Sequence, residues 1–513
     1  MRINIFSRIL SALLASLTLF SVVACSSAGG NGDETTAGGA VTTAAPADTT
    51  PAETEPTTDE WGREIVDVDL PADLKFDGET VTIMSRDQQY AYYEFSSEQL
   101  TGDIVGDAIY DRNRRVEERL GITIEHLKKT GSGGVIDQYR ALVSNAIMAD
   151  TNEFDVVAFY AYYGTIPSML QCYYNLADLP NVNYDKPWWR QSYIEAASAH
   201  DQFYTVISDL NLSVIDRTLL LYYNKKLADQ YSFGNLYELV LNGQWTIDKL
   251  IELTKDTATD INGSGALDDE DFYGIVGCRD SEAFDGFFAA FNIPTVSRDA
   301  EGVPTVTLDV DIAGSAIDKL LELFYNNNGA WLKAGVNPPA QKFYSGQSIF
   351  WITTLMSGEE MRAALRDMTD DYGILPLPKM NEQQENYGTT PQDAYNTMSV
   401  MRNVKNPELV GATLELMSAE SWKTVRPEYC ENTMKYRYMR DSESGQIFDL
   451  IVDSVFFDYS MVYNSSLQGL ATKMRAELQN NRNQLASQMA IMKKLYPKLI
   501  AKVDEVFVER AAE

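Results

Sequence analysis

Residues 154–160, FDVVAFY, form the apolar run that decides the fold class of this chain. A run of this length is typical of a strand buried inside a parallel sheet. Strand patterns at residues 79–84 and 122–127 precede it, and helical periodicity covers residues 102–120 and 135–148 between the strands. The order β-α-β-α-β predicts an α/β fold with a mostly parallel sheet and helices on both of its faces.

A second stretch of alternating strand and helix patterns follows and ends near residue 377. Its strand patterns lie at residues 202–207, 218–223, 272–278, 305–308, 348–352 and 372–377, and its helical patterns lie at residues 246–255 and 313–325. The final third of the chain is rich in helical patterns. With about 440 residues in these regions, the chain is long enough for two lobes of ordinary domain size.

The N-terminal segment has the pattern of a secretory signal. An apolar run over residues 9–23 follows two arginines, and this run is too short to favour a membrane span. Residues 22–25, VVAC, resemble the lipobox of bacterial lipoproteins. This resemblance implies a signal peptide over residues 1–24, a lipidated Cys25 and a chain anchored to the outer face of the cell membrane.

Residues 25–60 form a stretch rich in Thr, Ala and Pro between this signal and the first strand pattern. The stretch has no apolar periodicity and cannot bury enough surface to fold, so it is expected to be a disordered linker. An ordinary signal peptide followed by an accidental cysteine is the alternative interpretation of the same residues.

The chain carries 42 Lys and Arg residues against 74 Asp and Glu residues, which gives a formal net charge of −32. Such a charge repels nucleic acids and anionic lipid surfaces, so neither is an expected partner. The hydrophobic fraction of 45% is that of a globular protein with a full core. Beyond Cys25, the cysteines Cys172, Cys278 and Cys430 form no CxxC pair and are expected to be small buried hydrophobic residues.

Four phrases in the middle of the chain carry a family resemblance. They are YYNKKLADQY at residues 222–231, GQWTIDKLIELTKD at 243–256, KFYSGQSIFW at 342–351 and YGILPLPKMNEQQENYGT at 372–389. In this order and spacing they resemble the bacterial extracellular solute-binding proteins of family 1, which are the carbohydrate receptors of ABC importers.

The resemblance implies a periplasmic-binding-protein-like (type II) fold, in which two lobes enclose a ligand cleft. Lobe 1 is expected to comprise residues 61–204 and 393–437, and lobe 2 residues 205–392 and 438–513. The resemblance also implies a monomer that binds a carbohydrate, expected to be an oligosaccharide. Such a chain catalyses no reaction and passes its ligand to the permease subunits of an ABC transporter.

Aromatic and polar side chains gather at the ends of the predicted strands and at the crossovers between the lobes. Sugars offer hydroxyls and flat C–H faces, so aromatic platforms combined with acids, amides and arginines suit them. The candidate ligand-binding residues are Arg86, Asp87, Tyr90, Tyr92, Tyr160, Tyr162, Asp209, Arg217, Met356, Gln392, Asp393 and Tyr395. Met356 is included because relatives place a ligand aromatic near its segment. For each candidate, a structural role in the core, at the rim or in an ion pair is the alternative.

One loop has the spacing of an EF-hand calcium loop. Its candidate oxygen ligands are Asp260, Asn262, Ser264, the carbonyl of Ala266, Asp268 and Asp271, with Asp269 as an alternative carboxylate. Ser264 and Asp271 depart from the usual residues and a strand pattern follows the loop, so a weak structural Ca²⁺ site is predicted. A solvated acidic turn is the alternative.

Two other functions fit the same sequence. The two histidines lie in no metal or triad motif, and the chain has no P-loop, HExxH or G-x-S-x-G sequence. A glycoside hydrolase needs only two carboxylates, however, so an extracellular glycosidase is one alternative. A surface glycan-binding adhesin is the other, and a peptide or another polar solute is an alternative ligand.

Overall fold

The computed structural model describes residues 58–300, 302–356, 358–439 and 441–512. The predicted signal peptide, Cys25 and the predicted linker up to residue 57 lie outside these residues. The chain divides into two compact units, Met1–Ile65 and Val66–Glu513, and both large sheets belong to the second. None of the described helices combines the length and the apolar character needed to cross a membrane.

Eleven strands lie in the described residues. They are β1 (Thr80–Arg86), β2 (Thr123–Lys129), β3 (Val156–Tyr160), β4 (Leu219–Asn224), β5 (Tyr273–Cys278), β6 (Val296–Arg298), β7 (Pro304–Val306), β8 (Ala330–Lys333), β9 (Ser348–Thr354), β10 (Tyr372–Leu375) and β11 (Asn396–Val400). They form a sheet in the order β11-β3-β1-β2, a sheet in the order β10-β4-β9-β5-β8, and a β6-β7 hairpin.

Helices cover both large sheets and make up the C-terminal region. They are α1 (Gln89–Tyr92), α2 (Ile104–Leu120), α3 (Ile136–Met148), α4 (Ala161–Gly164), α5 (Pro167–Leu170), α6 (Gln191–Ala197), α7 (Leu212–Asp216), α8 (Lys225–Gln230), α9 (Leu236–Leu241), α10 (Ile247–Thr254), α11 (Ser281–Phe284), α12 (Phe287–Ala290), α13 (Val310–Leu321), α14 (Asn337–Tyr344), α15 (Glu359–Asp367), α16 (Pro407–Glu420), α17 (Ser442–Asp453), α18 (Tyr459–Val462), α19 (Lys473–Gln479), α20 (Leu485–Met492) and α21 (Tyr496–Ala511). Two π-helical runs, Ser421–Val425 and Glu428–Tyr438, connect α16 towards α17.

The first sheet confirms the three parallel strands that the sequence predicts. β1 pairs in parallel with both β2 and β3, and β11 adds to β3 in the antiparallel direction. β3 is apolar on both faces because Val156 and Ala158 pack in one hydrophobic cluster while Val157 and Phe159 pack in another. Helices therefore lie against both sides of this sheet, as its composition requires.

The ends of two helices show how the local sequence fixes the chain. Gly121 ends α2 in the left-handed conformation with φ of 65°, which glycine adopts without strain. The hydroxyl of Thr246 accepts a hydrogen bond from the Lys249 N–H and caps the N-terminus of α10.

The second sheet is mixed, since β5 runs parallel to β8 and β9 while β4 runs antiparallel to β9 and β10. The strand predicted at residues 202–207 is wrong. There the chain forms only isolated bridges, Ala199 with Gln202 and Val206 with Met398, because it is crossing between sheets rather than lying along an edge.

The chain passes from the first sheet to the second between β3 and β4 and returns between β10 and β11. These two passages bring polar side chains of both regions to one place. The residue limits of the two lobes stay a prediction. Cys172, Cys278 and Cys430 are buried and form no disulfide within the described residues, as expected for small apolar side chains.

Replacing Gly411 by alanine is expected to destabilise the fold. A Cβ atom on Gly411, inside α16, would lie 1.8 Å from the carbonyl oxygen of Pro180. The helix must move away from this backbone, at a cost of about 1–3 kcal/mol in the free energy of unfolding. Thermal and urea unfolding measure the loss.

Gly314→Ala is the matched control, because Gly314 lies inside α13 with no atom closer than 3.8 Å to the added methyl group. Here the higher helix propensity of alanine should stabilise the chain by up to about 1 kcal/mol. Equal effects of the two substitutions would contradict the close packing of α16.

Candidate functional site

A buried amide, that of Asn396 at the start of β11, joins three segments of the chain. Its Nδ2 donates to the carbonyl of Ala91 at 2.7 Å and to Glu94 at 2.6 Å, and its Oδ1 accepts from Arg86 Nη2 at 2.9 Å. Its backbone N–H donates to the hydroxyl of Ser213 at 3.1 Å. We call Asn396, Glu94, Ser213 and Arg86 the junction.

Glu94 is the acidic member of the junction and is fully buried. Its carboxylate accepts from the Ser213 N–H at 2.7 Å and from the Ser213 hydroxyl at 3.1 Å. Burial raises the pKa of Glu94 to about 7, although the hydrogen bonds from Asn396 and Ser213 oppose this shift. The junction thus fixes the loop after β1 against the passage that leads to β4.

Arg86 of the junction and a second arginine, Arg217, lie beside one aromatic ring. The Tyr90 ring is half-buried, with the guanidinium of Arg217 at 4.3 Å from its centroid and that of Arg86 at 5.5 Å. The Arg86 guanidinium also lies 4.7 Å from the centroid of the Tyr160 ring, at the end of β3. Cations at these distances are attracted to the ring faces and hold the rings in place. The carboxyl ends of β1 and β3 therefore present an aromatic and cationic surface.

Asp393 adds a carboxylate from the return passage. It accepts from the Tyr160 hydroxyl at 3.3 Å and from Gln392 Nε2 at 3.0 Å. Burial raises the pKa of Asp393, and Arg475 and Arg217 oppose this shift. We call Arg86, Tyr90, Tyr160, Arg217, Gln392 and Asp393 the cleft cluster.

A small cavity of about 40 Å³ lies beside the cleft cluster. Its walls include Gln392, Asp393 and Asp285. Arg475 donates to both oxygens of Asp285, with Nε at 2.6 Å from Oδ1, and burial still raises the pKa of Asp285 to about 7. A space of this size holds about one or two water molecules, so a sugar can enter only if the walls separate.

The structure brings six of the twelve sequence-predicted ligand residues together in the cleft cluster and places the others elsewhere or in the core. Asp87 accepts from the Thr130 hydroxyl at 2.8 Å, and Tyr92 lies 4.1 Å from Lys128 Nζ, both at the β2 side. Tyr162 meets Tyr163 edge-on at 4.9 Å.

The remaining three predicted residues are packed inside the protein. Met356 and Tyr395 are buried among apolar side chains, although Tyr395 also borders the small cavity. Asp209 pairs with Arg426 at 2.9 Å. This contact is the structural ion pair that the sequence left open as an alternative.

Sequence reasoning missed several polar residues of this region. Asp285, which follows α11, and Asn464 line the cavity, and Arg475 of α19 binds the Asp285 carboxylate. No local motif marks them, since they come from parts of the chain far apart in sequence. The buried amide of Asn396 was likewise missed, although it lies three residues after the predicted candidate Asp393.

A second polar contact links the passage from β3 to β4 with a π-helical run. Asp216, at the end of α7, accepts from the Tyr93 hydroxyl at 2.9 Å and from the Tyr429 hydroxyl. Tyr429 lies in the run Glu428–Tyr438. This contact ties the segment after α1 to the π-helical run Glu428–Tyr438.

The predicted calcium loop is closed by its own backbone. Asp260 accepts from the N–H groups of Gly263, Ser264 and Gly265, and Asp271 accepts from those of Ile261 and Asp268.

The other oxygen groups of this loop have partners of their own. The Asp268 carboxylate accepts from Asn262, the Ala266 carbonyl accepts from Ser264, and Asp269 turns away to Trp331 and Lys333. No group of three or more acidic, His or Cys side chains in the described residues is arranged to hold a metal ion.

No family model matches the sequence, and no curated protein matches it. Among solved structures, the chain is similar to the GacH receptor of Streptomyces glaucescens, solved unliganded and with acarbose. The identity is 14% and the TM-score 0.53, over 83% of this chain and 99% of the receptor.

Two further solved structures are similar over most of the chain. The galacto-N-biose-/lacto-N-biose I-binding protein of the ABC transporter from Bifidobacterium longum has 9% identity and a TM-score of 0.53, over 85% of this chain and 98% of that one. A Thermotoga lettingae ABC transporter solute binding protein, bound with α-D-tagatose, has 12% identity and a TM-score of 0.52, over 82% and 100%. These likenesses establish the fold and confirm the predicted two-lobed, periplasmic-binding-protein-like α/β class.

Replacing Glu94 by glutamine is expected to change how stability depends on pH. In the folded chain burial raises the pKa of Glu94 to about 7 from an ordinary value of 4.5. Between these values the folded state binds a proton that the unfolded state has lost, so the free energy of unfolding falls as the pH rises. Glu94→Gln carries no such proton, and the fall should be smaller by about 2–3 kcal/mol.

Urea unfolding of both proteins across this pH range measures the difference. Glu98→Gln is the matched control, because the Glu98 side chain is 80% exposed and pairs with Lys128 at the surface. The same pH dependence in the wild type and in Glu94→Gln would show that the junction holds no protonated carboxyl.

Proposed function

We propose that this chain is an extracytoplasmic solute-binding protein that captures a carbohydrate, in particular an oligosaccharide, for an ABC importer. The observation that carries this proposal is the cleft cluster, which combines aromatic rings, arginines, an amide and a carboxylate at the carboxyl ends of β1 and β3. Ligands of α/β sheets bind at this end of the strands. The three similar structures, which bind acarbose, lacto-N-biose and tagatose, share the fold.

The chemistry of the cluster suits a sugar. Tyr90 and Tyr160 offer flat faces for C–H groups, while Gln392 and Asp393 can accept from or donate to hydroxyls. The cavity of about 40 Å³ is too small for a sugar ring, so binding requires the two regions to separate and close again. A ligand that contacts both lobes stabilises the closed arrangement and not the open one. Closure of a two-lobed receptor therefore reports that a ligand is bound.

The proposal extends to location and partners. A lipid on Cys25 would hold the protein at the outer face of the membrane, and residues 25–60 would act as a tether with a mean reach of roughly 30 Å. The monomer would then deliver its ligand to permease subunits that belong to other chains. Binding involves no chemical change of the ligand.

A thermal-shift screen of neutral and charged oligosaccharides tests the proposed function. A ligand present well above its Kd should raise the melting temperature by mass action, and the recovered sugar should be unchanged. Tyr90→Ala should weaken binding by about tenfold, because it removes one of the two aromatic platforms of the cleft cluster.

Tyr436→Ala is the control for this substitution, since Tyr436 is 86% exposed and lies in the π-helical run Glu428–Tyr438. Turnover of any glycan by the purified chain would refute a receptor role and favour a glycosidase. Failure of every carbohydrate to shift the melting temperature would refute the carbohydrate ligand.

We also propose that residues 260–271 bind Ca²⁺ weakly. The alternating oxygen side chains support this proposal, and Asp260 already draws three backbone N–H groups into a tight loop. The ion would have to compete with Asn262 for Asp268 and with Lys333 for Asp269, so weak affinity is expected.

Calcium titration of the purified protein, followed by its melting temperature, tests this site. Ca²⁺ should raise the melting temperature of the wild type and leave that of Asp260→Asn unchanged, and Mg²⁺ should act less because it demands a tighter octahedral shell. Equal shifts of both chains would place the ion elsewhere, and no shift would refute the site.

A further inference from the structure

Arg86 and Arg217 are buried cations that have no ion-pair partner among the residues that the structure describes. Arg86 is fully buried and Arg217 is 8% exposed. Nε and Nη1 of Arg86 and Nε of Arg217 have no hydrogen-bond partner within the described part of the chain. Neither guanidinium lies within ion-pair distance of a described carboxylate, whereas Arg475 and Arg426 each have one.

The carboxylates around this pair are engaged with other groups. Asp393 accepts from Tyr160 and Gln392, and Glu282 accepts from the Thr353 hydroxyl at 3.1 Å. The positive charge of Arg217 favours the ionised form of both carboxyls, but burial has the larger effect and raises the pKa of each. Asp393 and Glu282 therefore ionise less readily than ordinary carboxyls. Asp285 has its own cation in Arg475.

Burying a cation away from water without a partner is costly, and two of them beside one aromatic ring compound the cost. A soluble protein keeps such an arrangement when something else supplies the missing negative charge. The Arg217 guanidinium lies 4.3 Å from the centroid of the half-buried Tyr90 ring of the cleft cluster. A negative charge that balances Arg217 would therefore lie in the cleft beside this ring.

We propose that the carbohydrate taken by this cleft is acidic, and that a ligand carboxylate of the uronic acid type binds Arg217 within the electrostatic reach of Arg86. This inference rests on the proposed function. The planar guanidinium matches a carboxylate through two parallel N–H···O bonds, which a neutral hydroxyl cannot provide. The rest of the sugar would lie against Tyr90 and Tyr160 and hydrogen-bond to Gln392 and Asp393.

The test compares acidic oligosaccharides with their own neutral forms. The probes are oligogalacturonides and glucuronic-acid-bearing xylo-oligosaccharides, the methyl esters of both, sulfated oligosaccharides and neutral malto-oligosaccharides. Calorimetry and thermal shift should show at least one uronic acid oligosaccharide binding about tenfold or more tightly than its methyl ester. Its affinity should fall with added salt while that of the ester changes little.

Arg217→Gln should lower the affinity for the acidic probe by about tenfold or more and remove most of the difference between acid and ester. Arg114→Gln is the matched control, since Arg114 is 54% exposed on α2 and pairs with Glu117. The acid–ester comparison and its salt dependence need only the wild-type chain, so the inference stays testable if Arg217→Gln does not fold.

The outcomes separate the inference from the proposed function. Tight binding of a neutral oligosaccharide with no preference for any acidic probe overturns the inference and leaves the receptor role intact. Binding of sulfated probes alone overturns the assignment of a carboxylate. Failure of every carbohydrate overturns both.

Discussion

The architecture of the cleft depends on one buried polar contact, the amide of Asn396 against the carboxyl of Glu94 at 2.6 Å. Asn396 belongs to the strand that returns to the first sheet, Glu94 follows the first strand, and Ser213 belongs to the passage that leads to the second sheet. Three segments meet at a buried point where an unsatisfied polar group is costly, and the hydrogen bonds among Asn396, Glu94 and Ser213 avoid that cost for these three side chains. The junction therefore sets the position of Arg86, at the end of β1, and of Tyr90, in α1, which both precede Glu94 in the sequence.

The cleft cluster is richer in positive than in negative side chains, whereas the whole chain is strongly acidic. The protein carries a net charge of −32, yet its cleft cluster holds two arginines, and burial raises the pKa values of Asp393 in the cluster and of Asp285 and Glu282 near it. Low local polarity strengthens each remaining interaction, so a few groups decide what the cleft accepts. The π-helical run Glu428–Tyr438 lies beside Asp216 and contacts it through the Tyr429 hydroxyl.

The sequence predicts the sheets better than the site. The strands at residues 154–160 and 79–84 were predictable because short apolar runs alternating with amphipathic helices leave little choice of fold. β11 was not predicted because Asn396–Val400 mixes polar and apolar residues and finds its partner β3 more than 200 residues earlier. Candidates chosen by position at strand ends, such as Tyr90 and Tyr160, came together, whereas Tyr92 faces β2, since residues two apart in a short helix point in different directions.

The three buried thiols have a practical consequence. Burial raises the pKa of Cys278 and of Cys430 to about 11 and also raises that of Cys172. The thiolate is the reactive form, so these side chains resist alkylation and oxidation near neutral pH. A cysteine engineered on either side of the cleft would thus outcompete them for a maleimide dye. Fluorophore pairs attached in this way could follow opening and closing of single molecules in real time.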